Sequence, residues 1–506
     1  MRVCTESTII HTAVCNLLLI NEGGKSEKSR YMLCISICDY GFLFYRGGCS
    51  LVDMLNNLGE EYTDNQEEDS DNNGENGANK NKNVTKSVEI TPRGMQTVIV
   101  GKECVFTANA LREDGSIIAG KSVTEPKTFT KTGKHSFSMT VDGISAKTTV
   151  NVIEDDITLP VEYMGKTYTG IDASTITGSV ENRYPAGMYR KLEVTYPEGN
   201  SFDADGFFPL KLAVNNSSMN QFVIVRISGG TNSHEESYTY RGNPNSDSGE
   251  LEMRIWLRWG KGSYTVKICD VAEARWNYQA VDGTTSTAGK ITYYGDNILA
   301  FYRYYPSVTF TVNNTRDEDG TFLYPSSVVQ SDDITVMNKA ADLTAGLTKT
   351  EDKIKAIHDW IVTSKYYDQD SCQSKSKRKR QDAVAVMEYG MCVCEGYANL
   401  TAALLRNCRI QTKFISSKSL NHAWNHVNVG TETNPGWRLL DTCWDDPLIE
   451  DFGSAHDGGP DFVVYENYLL KNLEGGSEPH TGGVPDIGRT AYWGAGHIDG
   501  VESIAY

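Results

Sequence analysis

Three short motifs in the C-terminal half of the chain constrain its fold most strongly. In chain order they carry a thiol, an imidazole and a carboxylate: Cys394 in CEGYA, His422 in HAWN and Asp441 in DTCWDDP. These are the chemical parts of a site for attack by a cysteine, because a base must take the thiol proton and an acid must orient the base. Any fold that uses them has to bring three separate segments together.

The residues around Cys394 predict a helix that begins near the thiol. Residues with helical spacing follow it: Tyr397, Leu400, Thr401, Leu404 and Leu405. Gly396 keeps the first turn of this helix slim. A thiol at a helix N-terminus faces unpaired N–H groups and the positive end of the helix dipole, which favour the thiolate and can also hold an oxyanion. Taken alone, this pattern favours an inert buried cysteine.

Two predicted strands place His422 and Asp441 at their ends. Residues 423–429 alternate after His422, and an apolar run at 437–440 precedes Asp441. If these strands are adjacent and antiparallel, the imidazole and the carboxylate meet. Asp441 then holds the ring in the tautomer whose other nitrogen can take the thiol proton. We interpret His426, in the same run, as structural.

Segment 317–447 resembles the transglutaminase-like superfamily, in its bacterial, protease-like branch, and is similar to the animal kyphoscoliosis peptidase. Besides the three motifs above, the resemblance rests on further motifs in the same order: Tyr324-Pro325-Ser326, KIKAIHDW at 353–360, Tyr367-Asp368 and Gln381-Asp382-Ala383. It implies a papain-like α+β domain whose nucleophile lies on a helix packed against an antiparallel sheet. It also implies that Cys394, His422 and Asp441 are the catalytic triad.

The resemblance implies roles for four neighbouring residues. Trp424 and Trp444 would form the walls of the substrate cleft, with simple packing in the core as the open alternative. Tyr397 and Asn425 would support the site without taking part in the chemistry. No metal ion or other cofactor is required by such a mechanism.

Two positions depart from the family pattern. Glycine is usual two residues before the nucleophile and in the turn after its helix, whereas this chain has Cys392 and Arg409 there. Cys392 adds bulk and a second thiol close to the site. A Cys-x-Cys metal site is disfavoured, because no further ligands converge in the sequence.

Alternating apolar residues and turn signals predict strands in the region before this domain. Residues 88–155 include a strong hairpin signal around Asp142-Gly143 and resemble immunoglobulin-like modules of bacterial surface proteins. Residues 156–315 have the strand spacing of a second β-sandwich. Residues 316–506 contain helical and strand periods. The predicted fold is therefore multidomain, with two β-sandwich modules followed by an α+β papain-like (transglutaminase-like) domain.

Two further patterns lie in the last of these domains. Thr348 and Glu351 have the spacing of a capping box, which predicts a helix start at this point. The tail from residue 451 is rich in glycine, and its histidines are too dispersed to predict a site: His456, His480 and His497.

The first 87 residues are predicted to lie outside the folded domains. Residues 1–50 contain a basic stretch, an apolar stretch and then Gly47-Gly48-Cys49-Ser50, the order of a lipoprotein export signal. Asp39 and Arg46 interrupt this pattern, so a degraded signal and an unrelated extension are open alternatives. Residues 51–87 read as an acidic, disordered linker with few apolar residues.

Charge and composition narrow the class of partner. A formal net charge of −18 over 506 residues argues against nucleic acid, because a basic surface is needed to displace counterions from phosphate. The N-terminal pattern favours a secreted or cell-surface protein, with membrane attachment through an N-terminal lipid anchor if the signal is intact. The predicted partner is a protein or peptide substrate.

The sequence therefore predicts a secreted or cell-surface, thiol-dependent acyl-transfer enzyme that acts on amide bonds. Water as the acyl acceptor gives a peptidase or amidase, and an amine gives a protein cross-linking transglutaminase. The sequence leaves that choice open. The alternative is a catalytically inactive adhesion or scaffold protein that uses the same fold for binding.

Overall fold

The computed structural model describes most of the chain between residues 84 and 487. The described residues are 34–38, 41–45, 84–180, 191–215, 222–230, 234–241, 248–270, four two-residue strands between 278 and 298, 305–373, 379–431, 433–446, 463–485 and 487. Most of the predicted export signal (1–50) and of the predicted linker (51–87) lies outside this set. None of the helices within it is both long and apolar enough to cross a membrane.

The first eight strands of the described chain form a separate pair and two three-stranded sheets. In chain order they are β1 (Cys34–Cys38), β2 (Gly41–Tyr45), β3 (Ser87–Thr91), β4 (Gln96–Ile99), β5 (Glu103–Leu111), β6 (Ile117–Thr128), β7 (Gly133–Val141) and β8 (Ile144–Ile153). Strands β1 and β2 pair with each other, while the sheets β3-β5-β6 and β4-β8-β7 share a core that includes Phe106, Met139 and Val150. The hairpin predicted at Asp142-Gly143 is confirmed, since both residues have positive φ between β7 and β8.

A second set of strands follows directly. It comprises β9 (Val161–Tyr163), β10 (Lys166–Tyr168), β11 (Gly170–Thr177), β12 (Lys191–Tyr196), β13 (Ser201–Asp205), β14 (Phe207–Asn215), β15 (Phe222–Gly229), β16 (His234–Arg241), β17 (Ser248–Trp256), β18 (Gly262–Asp270), β19 (Tyr278–Gln279), β20 (Thr285–Ser286), β21 (Tyr293–Tyr294), β22 (Asn297–Ile298) and β23 (Tyr305–Asn314). A six-stranded sheet, β11-β13-β23-β18-β15-β16, and a three-stranded sheet, β12-β14-β17, bury a common apolar core. The predicted strand-rich region is thus confirmed. Its division into an immunoglobulin-like β-sandwich (88–155) and a second β-sandwich (156–315) stays a prediction.

Helices and a small antiparallel sheet make up the C-terminal part. The helices are α1 (Ile334–Leu343), α2 (Thr350–Ser364), α3 (Gln369–Gln373), α4 (Ala383–Tyr389) and α5 (Cys394–Asn407). The strands are β24 (Tyr366–Tyr367), β25 (Met391–Cys392), β26 (Thr412–Ser417), β27 (His422–Asn428), β28 (Trp437–Leu440) and β29 (Val484–Pro485). The main sheet has the order β28-β27-β26-β29, and α5 packs on it through Ala398, Phe414 and Ala423.

The start of α2 differs from the expected capping box. Lys349 is the N-cap residue, and no side chain caps the helix there. Glu351 and Asp352 instead lie in the first turn, where negative charge is favourable next to the positive end of the helix dipole. The capping-box prediction was therefore wrong about the cap, although a helix does begin at this point.

A buried ion pair joins the strand-rich region to the C-terminal domain. Arg258 and Glu236 are each 1% exposed and lie 2.8 Å apart. Arg258 also donates to the carbonyl of Thr321, and Glu236 accepts from the backbone N–H of Ser327. Because each charge is paired and hydrogen-bonded, losing one partner would leave an uncompensated buried charge. The two regions are therefore fixed to each other at this point.

The C-terminal end of α5 is held by a buried arginine. Arg406 donates to the carbonyl of Tyr324, 3.0 Å away, and to the carbonyl of Thr412. Tyr324 belongs to the Tyr-Pro-Ser motif that the sequence analysis singled out, so this motif acts as an anchor for the helix. Because this contact holds α5 in place, it also fixes the position of Cys394 at the opposite end of the helix.

Arg409 lies just past the end of α5 in a left-handed conformation, with φ of 64°. This conformation costs an L-residue roughly 1 kcal/mol and costs glycine little. The departure from the family glycine therefore leaves local strain in the turn.

We expect Arg409→Gly to raise the free energy of unfolding by about 0.5–1 kcal/mol, because glycine relieves the strain at positive φ. Urea unfolding measures the change. Arg409→Ala is the control, since it removes the same exposed side chain but keeps the Cβ. Equal effects of the two substitutions would show that the side chain, and not the backbone, is responsible.

Candidate active site

Cys394 is the first residue of α5, as predicted. Val393 precedes it in extended conformation, and its backbone N–H donates to the Oε1 of Gln381 at 2.9 Å. The Cys394 side chain is partly exposed. Gly396 is necessary in the first turn, because an added Cβ would lie 2.3 Å from the Cβ of Cys392. The thiol of Cys394 thus lies at a helix N-terminus that is held in place from both sides.

His422 and Asp441 meet as the predicted strands require. His422 opens β27, Asp441 follows β28, and these strands are adjacent and antiparallel. The Nε2 of His422 donates to the Oδ2 of Asp441 at 2.5 Å. The two residues are 3% and 1% exposed, so this hydrogen bond is shielded from water.

The pKa of His422 depends on both Asp441 and Cys394. Burial lowers the pKa of His422, but the charge and hydrogen bond of Asp441, followed by the hydrogen bond and charge of Cys394, raise it to about 10. Burial also opposes ionisation of Asp441, but His422 and then His480 hold its pKa well below the usual range. Asp441 and Cys394 therefore both stabilise the protonated imidazole.

The two tryptophans take different positions around this imidazole. The ring of Trp444 stacks on His422 with centroids 4.2 Å apart and planes at 7°, and Trp444 is partly exposed. Trp424 is buried, and its indole N–H donates to the Nε2 of His426. Burial, followed by the charges of Lys413 and His480, lowers the pKa of His426 to about 4. Trp444 can therefore line a cleft, whereas Trp424 packs in the core.

Tyr397 and Asn425 contact the framework of the site. The Tyr397 hydroxyl donates to the carboxyl of Asp446, whose pKa burial raises to about 7. The amide of Asn425 donates to the carbonyl of Ala398 at 3.0 Å. The second contact ties β27 to the helix that carries Cys394.

The structure places a residue of the C-terminal tail, His480, beside Asp441. His480 lies 2.9 Å from Asp441, from ring Nε2 to carboxylate Oδ2, and 2.6 Å from the carbonyl oxygen of Gly475 through Nδ1. It is 1% exposed. In the sequence the tail histidines were too dispersed to predict a site, whereas the fold places His480 next to Asp441. No motif or periodicity surrounds this residue, so only tertiary contact reveals it.

His422, Asp441 and His480 also have the composition of a metal site. Their ligand atoms all lie within 4.8 Å of one another. Tetrahedral zinc, with bonds of about 2.0–2.1 Å, separates its donor atoms by roughly 3.3 Å. The two nitrogen–oxygen distances of 2.5 and 2.9 Å are shorter than this separation and lie in the range of hydrogen bonds. The geometry fits hydrogen bonds better than a common ion.

The segment that carries His480 is anchored by a second buried histidine. His358 contacts the carboxylates of Asp359 at 2.9 Å and Asp445 at 3.1 Å through its two ring nitrogens. Asp445 accepts from the backbone and side-chain N–H groups of Asn467. The carbonyl of Asn467 in turn accepts from the backbone N–H of Asp441. Residues 463–485 are therefore attached to the same loop as the carboxylate of the site.

A cavity of about 1140 Å³ lies elsewhere in the molecule. Its lining includes the end of β8 and residues Arg254, Asp332 and Arg380. None of the predicted site residues lines it. The cavity is therefore separate from Cys394, His422 and Asp441.

Stability should depend on the charge of His358. Burial lowers its pKa, but the hydrogen bonds to Asp359 and Asp445 outweigh burial and raise it. A raised pKa in the folded state gives stability that is fully present below the unfolded value near 6.5 and is lost as pH rises through the folded value. We expect His358→Gln to cost more unfolding free energy at pH 6 than at pH 9.

Urea unfolding at the two pH values measures this difference. His135→Gln is the matched control, because it removes one partly exposed histidine from outside the domain. If His358→Gln lowers the free energy of unfolding equally at both pH values, the positive charge of the ring does not contribute to stability.

A comparison with curated proteins finds no match. A solved structure of a proposed cysteine protease from Cytophaga hutchinsonii is 15% identical and covers 47% of this chain and 78% of its own, with a TM-score of 0.21. A proposed protease from Parabacteroides distasonis is 10% identical and covers 51% and 66%, with a TM-score of 0.18. Residues 338–442, which include Cys394, His422 and Asp441 but not His480, match the family model of the Transglutaminase-like superfamily.

Proposed function

We propose that the C-terminal domain is a thiol-dependent acyl-transfer enzyme that acts on amide bonds of proteins or peptides. Cys394 is the nucleophile, His422 moves the proton, and Asp441 orients His422. One observation carries the proposal: the buried His422 ring hydrogen-bonds to Asp441, and Cys394 is near enough to raise the pKa of the same ring. Cys394 itself is partly exposed at a helix N-terminus.

The chemistry follows from these contacts. The proton of the thiol passes to His422, and the sulfur attacks the amide carbonyl carbon. The oxyanion that forms can be held by N–H groups of the first turn of α5, where the helix dipole is also favourable. When the C–N bond breaks, His422 returns its proton to the departing amine, and a thioester remains on Cys394.

The second half of the reaction regenerates the thiol. A water molecule or an amine gives a proton to His422 and attacks the thioester, and the sulfur leaves and takes that proton back. Water gives hydrolysis, and an amine gives a new amide bond. The protease-like branch that the sequence resembles favours hydrolysis, and we place it first.

Two contacts suit His422 to this exchange. Asp441 stabilises the protonated ring and fixes its orientation. Trp444 covers one face of the ring at 4.2 Å, and an aromatic face attracts a cation. Because Trp444 is partly exposed, it can also contact an acyl group bound at the sulfur.

An extracytoplasmic location is part of the proposal and rests on the N-terminal sequence pattern alone. The competing proposal is an inactive adhesion or scaffold protein, which the extensive strand-rich region suits. A buried histidine paired with a carboxylate, with a thiol nearby, is typical of catalytic sites. We therefore place the enzyme first.

Thiol reactivity distinguishes the two proposals without knowledge of the substrate. We expect iodoacetamide to label Cys394 rapidly at pH 7, and His422→Ala to slow that labelling at least about tenfold, because the base is lost. Peptide mapping by mass spectrometry measures the rate at each cysteine. Cys408 is the internal control, since burial raises its pKa and its thiol lies next to Thr344. Equally slow labelling of Cys394 and Cys408 in the wild type would favour the scaffold.

The type of acyl transfer can be determined in a mixed protein lysate. We expect the wild type to create new peptide N-termini, and Cys394→Ala to create none, because the acyl-enzyme cannot form. A labelled primary amine in the same mixture reports transamidation. Cys408→Ala is the matched control and should behave as the wild type. Amine incorporation without cleavage would assign the transglutaminase reaction instead.

A further inference from the structure

His480 lies outside the residues that match the family model, yet it contacts the carboxylate of the proposed site. Asp441 accepts four hydrogen bonds. Its Oδ1 accepts from the backbone N–H groups of Cys443 and Trp444 at 3.0 and 3.1 Å. Its Oδ2 faces the Nε2 atoms of His422 and His480 at 2.5 and 2.9 Å. One carboxylate oxygen is therefore shared by two imidazoles.

The protons on His480 follow from its two contacts. Nδ1 faces the carbonyl oxygen of Gly475 at 2.6 Å, and a carbonyl only accepts. Nε2 faces Asp441, whose ionised carboxylate also only accepts. A neutral imidazole carries one N–H and would leave one of these two contacts without a proton. A protonated ring satisfies both.

The surroundings hold the ring in this orientation. Trp424 and Trp444 lie 4.9 and 4.5 Å from it, between ring centroids. On the other side Gly476 leaves no room, because a Cβ there would lie 2.9 Å from the ring Cε1. The ring therefore has little freedom to turn away from Asp441.

Other titratable groups around His480 are few among the described residues. On β27, His422 lies 6.0 Å away between ring centroids, and His426 lies on the same strand. Lys413 on β26 acts on His426. Asp441, at the end of β28, is the anion in direct contact. His480 can therefore influence the proposed base only through Asp441 or through space.

We propose that His480 is a positioning residue of the acyl-transfer site: as a cation it holds Asp441 through the oxygen that also serves His422, and thereby limits how strongly Asp441 retains the proton of His422. This inference rests on the proposed function and deepens it. An oxygen that accepts two charge-assisted hydrogen bonds binds each donor less strongly than an oxygen that accepts one. His422 is then better able to give its proton to the departing amine.

The alkylation rate of Cys394 as a function of pH tests the inference without any substrate. The rate has an upper inflection where His422 loses its proton. We expect His480→Gln, which keeps an N–H toward Asp441 but removes the charge, to move this inflection upward by at least about half a pH unit. Lys471→Gln is the matched control, because it removes one positive charge from an exposed position of the same segment. It should leave the inflection in place.

The outcomes separate the failure of this inference from the failure of the proposed function. Labelling that does not depend on His422 overturns the proposed function. Labelling that depends on His422 but has the same inflection in His480→Gln and the wild type overturns the role of His480 alone.

All samples are dialysed against EDTA. Stoichiometric zinc that is found before dialysis and is lost in His480→Gln would also overturn it, since the ring would then serve an ion.

A measurement on the wild type keeps the test decisive if His480→Gln does not fold. Nitrogen-15 NMR of labelled histidine distinguishes a ring with two N–H groups from a neutral ring. We expect His480 to show two protonated nitrogens in the folded protein, because both ring nitrogens face groups that only accept. A single protonated nitrogen would overturn the proposal.

Discussion

The buried carboxylate of Asp441 is the group on which the arrangement of the C-terminal domain depends. A carboxylate removed from water must be fully hydrogen-bonded, because an unsatisfied buried charge costs several kcal/mol. Asp441 meets this requirement with two backbone N–H groups of its own loop and two imidazoles from different segments. These partners come from three different parts of the fold. The loop after β28, the start of β27 and the segment 463–485 are therefore fixed with respect to one another.

The thiol side of the site is held by packing instead of charge. Gly396 and Cys392 touch so closely that no larger residue fits in the first turn of α5, and Gln381 holds the backbone just before Cys394. Arg406 fixes the far end of the same helix. The strand-rich region takes part in this support. Tyr168, Trp256 and Tyr324 pack edge to face or tilted with centroids 5.0–5.4 Å apart, so the anchor of the helix rests on strands outside the domain.

Much of the site could be predicted from the sequence, because the patterns that specify it extend over only a few neighbouring residues. The helix at Cys394, the strand pairing of His422 with Asp441 and the hairpin at Asp142 follow from side-chain periodicity and turn residues, which act over a few positions. The need for glycine at position 396 follows from the same short-range geometry. The capping box at Thr348 failed, because a pattern of residue types does not decide which backbone N–H a side chain reaches. The different burial of Trp424 and Trp444 was also left open, since it depends on what packs above each ring.

The sequence by itself determined the order of thiol, imidazole and carboxylate, the strand-rich region before them and the helix that presents the sulfur. Only the tertiary structure decided that a fourth polar group, His480, shares the oxygen of Asp441. The physical reason is that this contact joins a segment without periodicity to a strand end 39 residues away. Such a contact is specified by the burial and hydrogen-bonding needs of the carboxylate and by the anchor at His358 and Asn467. Neither the hydrogen-bonding needs of Asp441 nor the anchor at His358 and Asn467 can be predicted from a local sequence pattern.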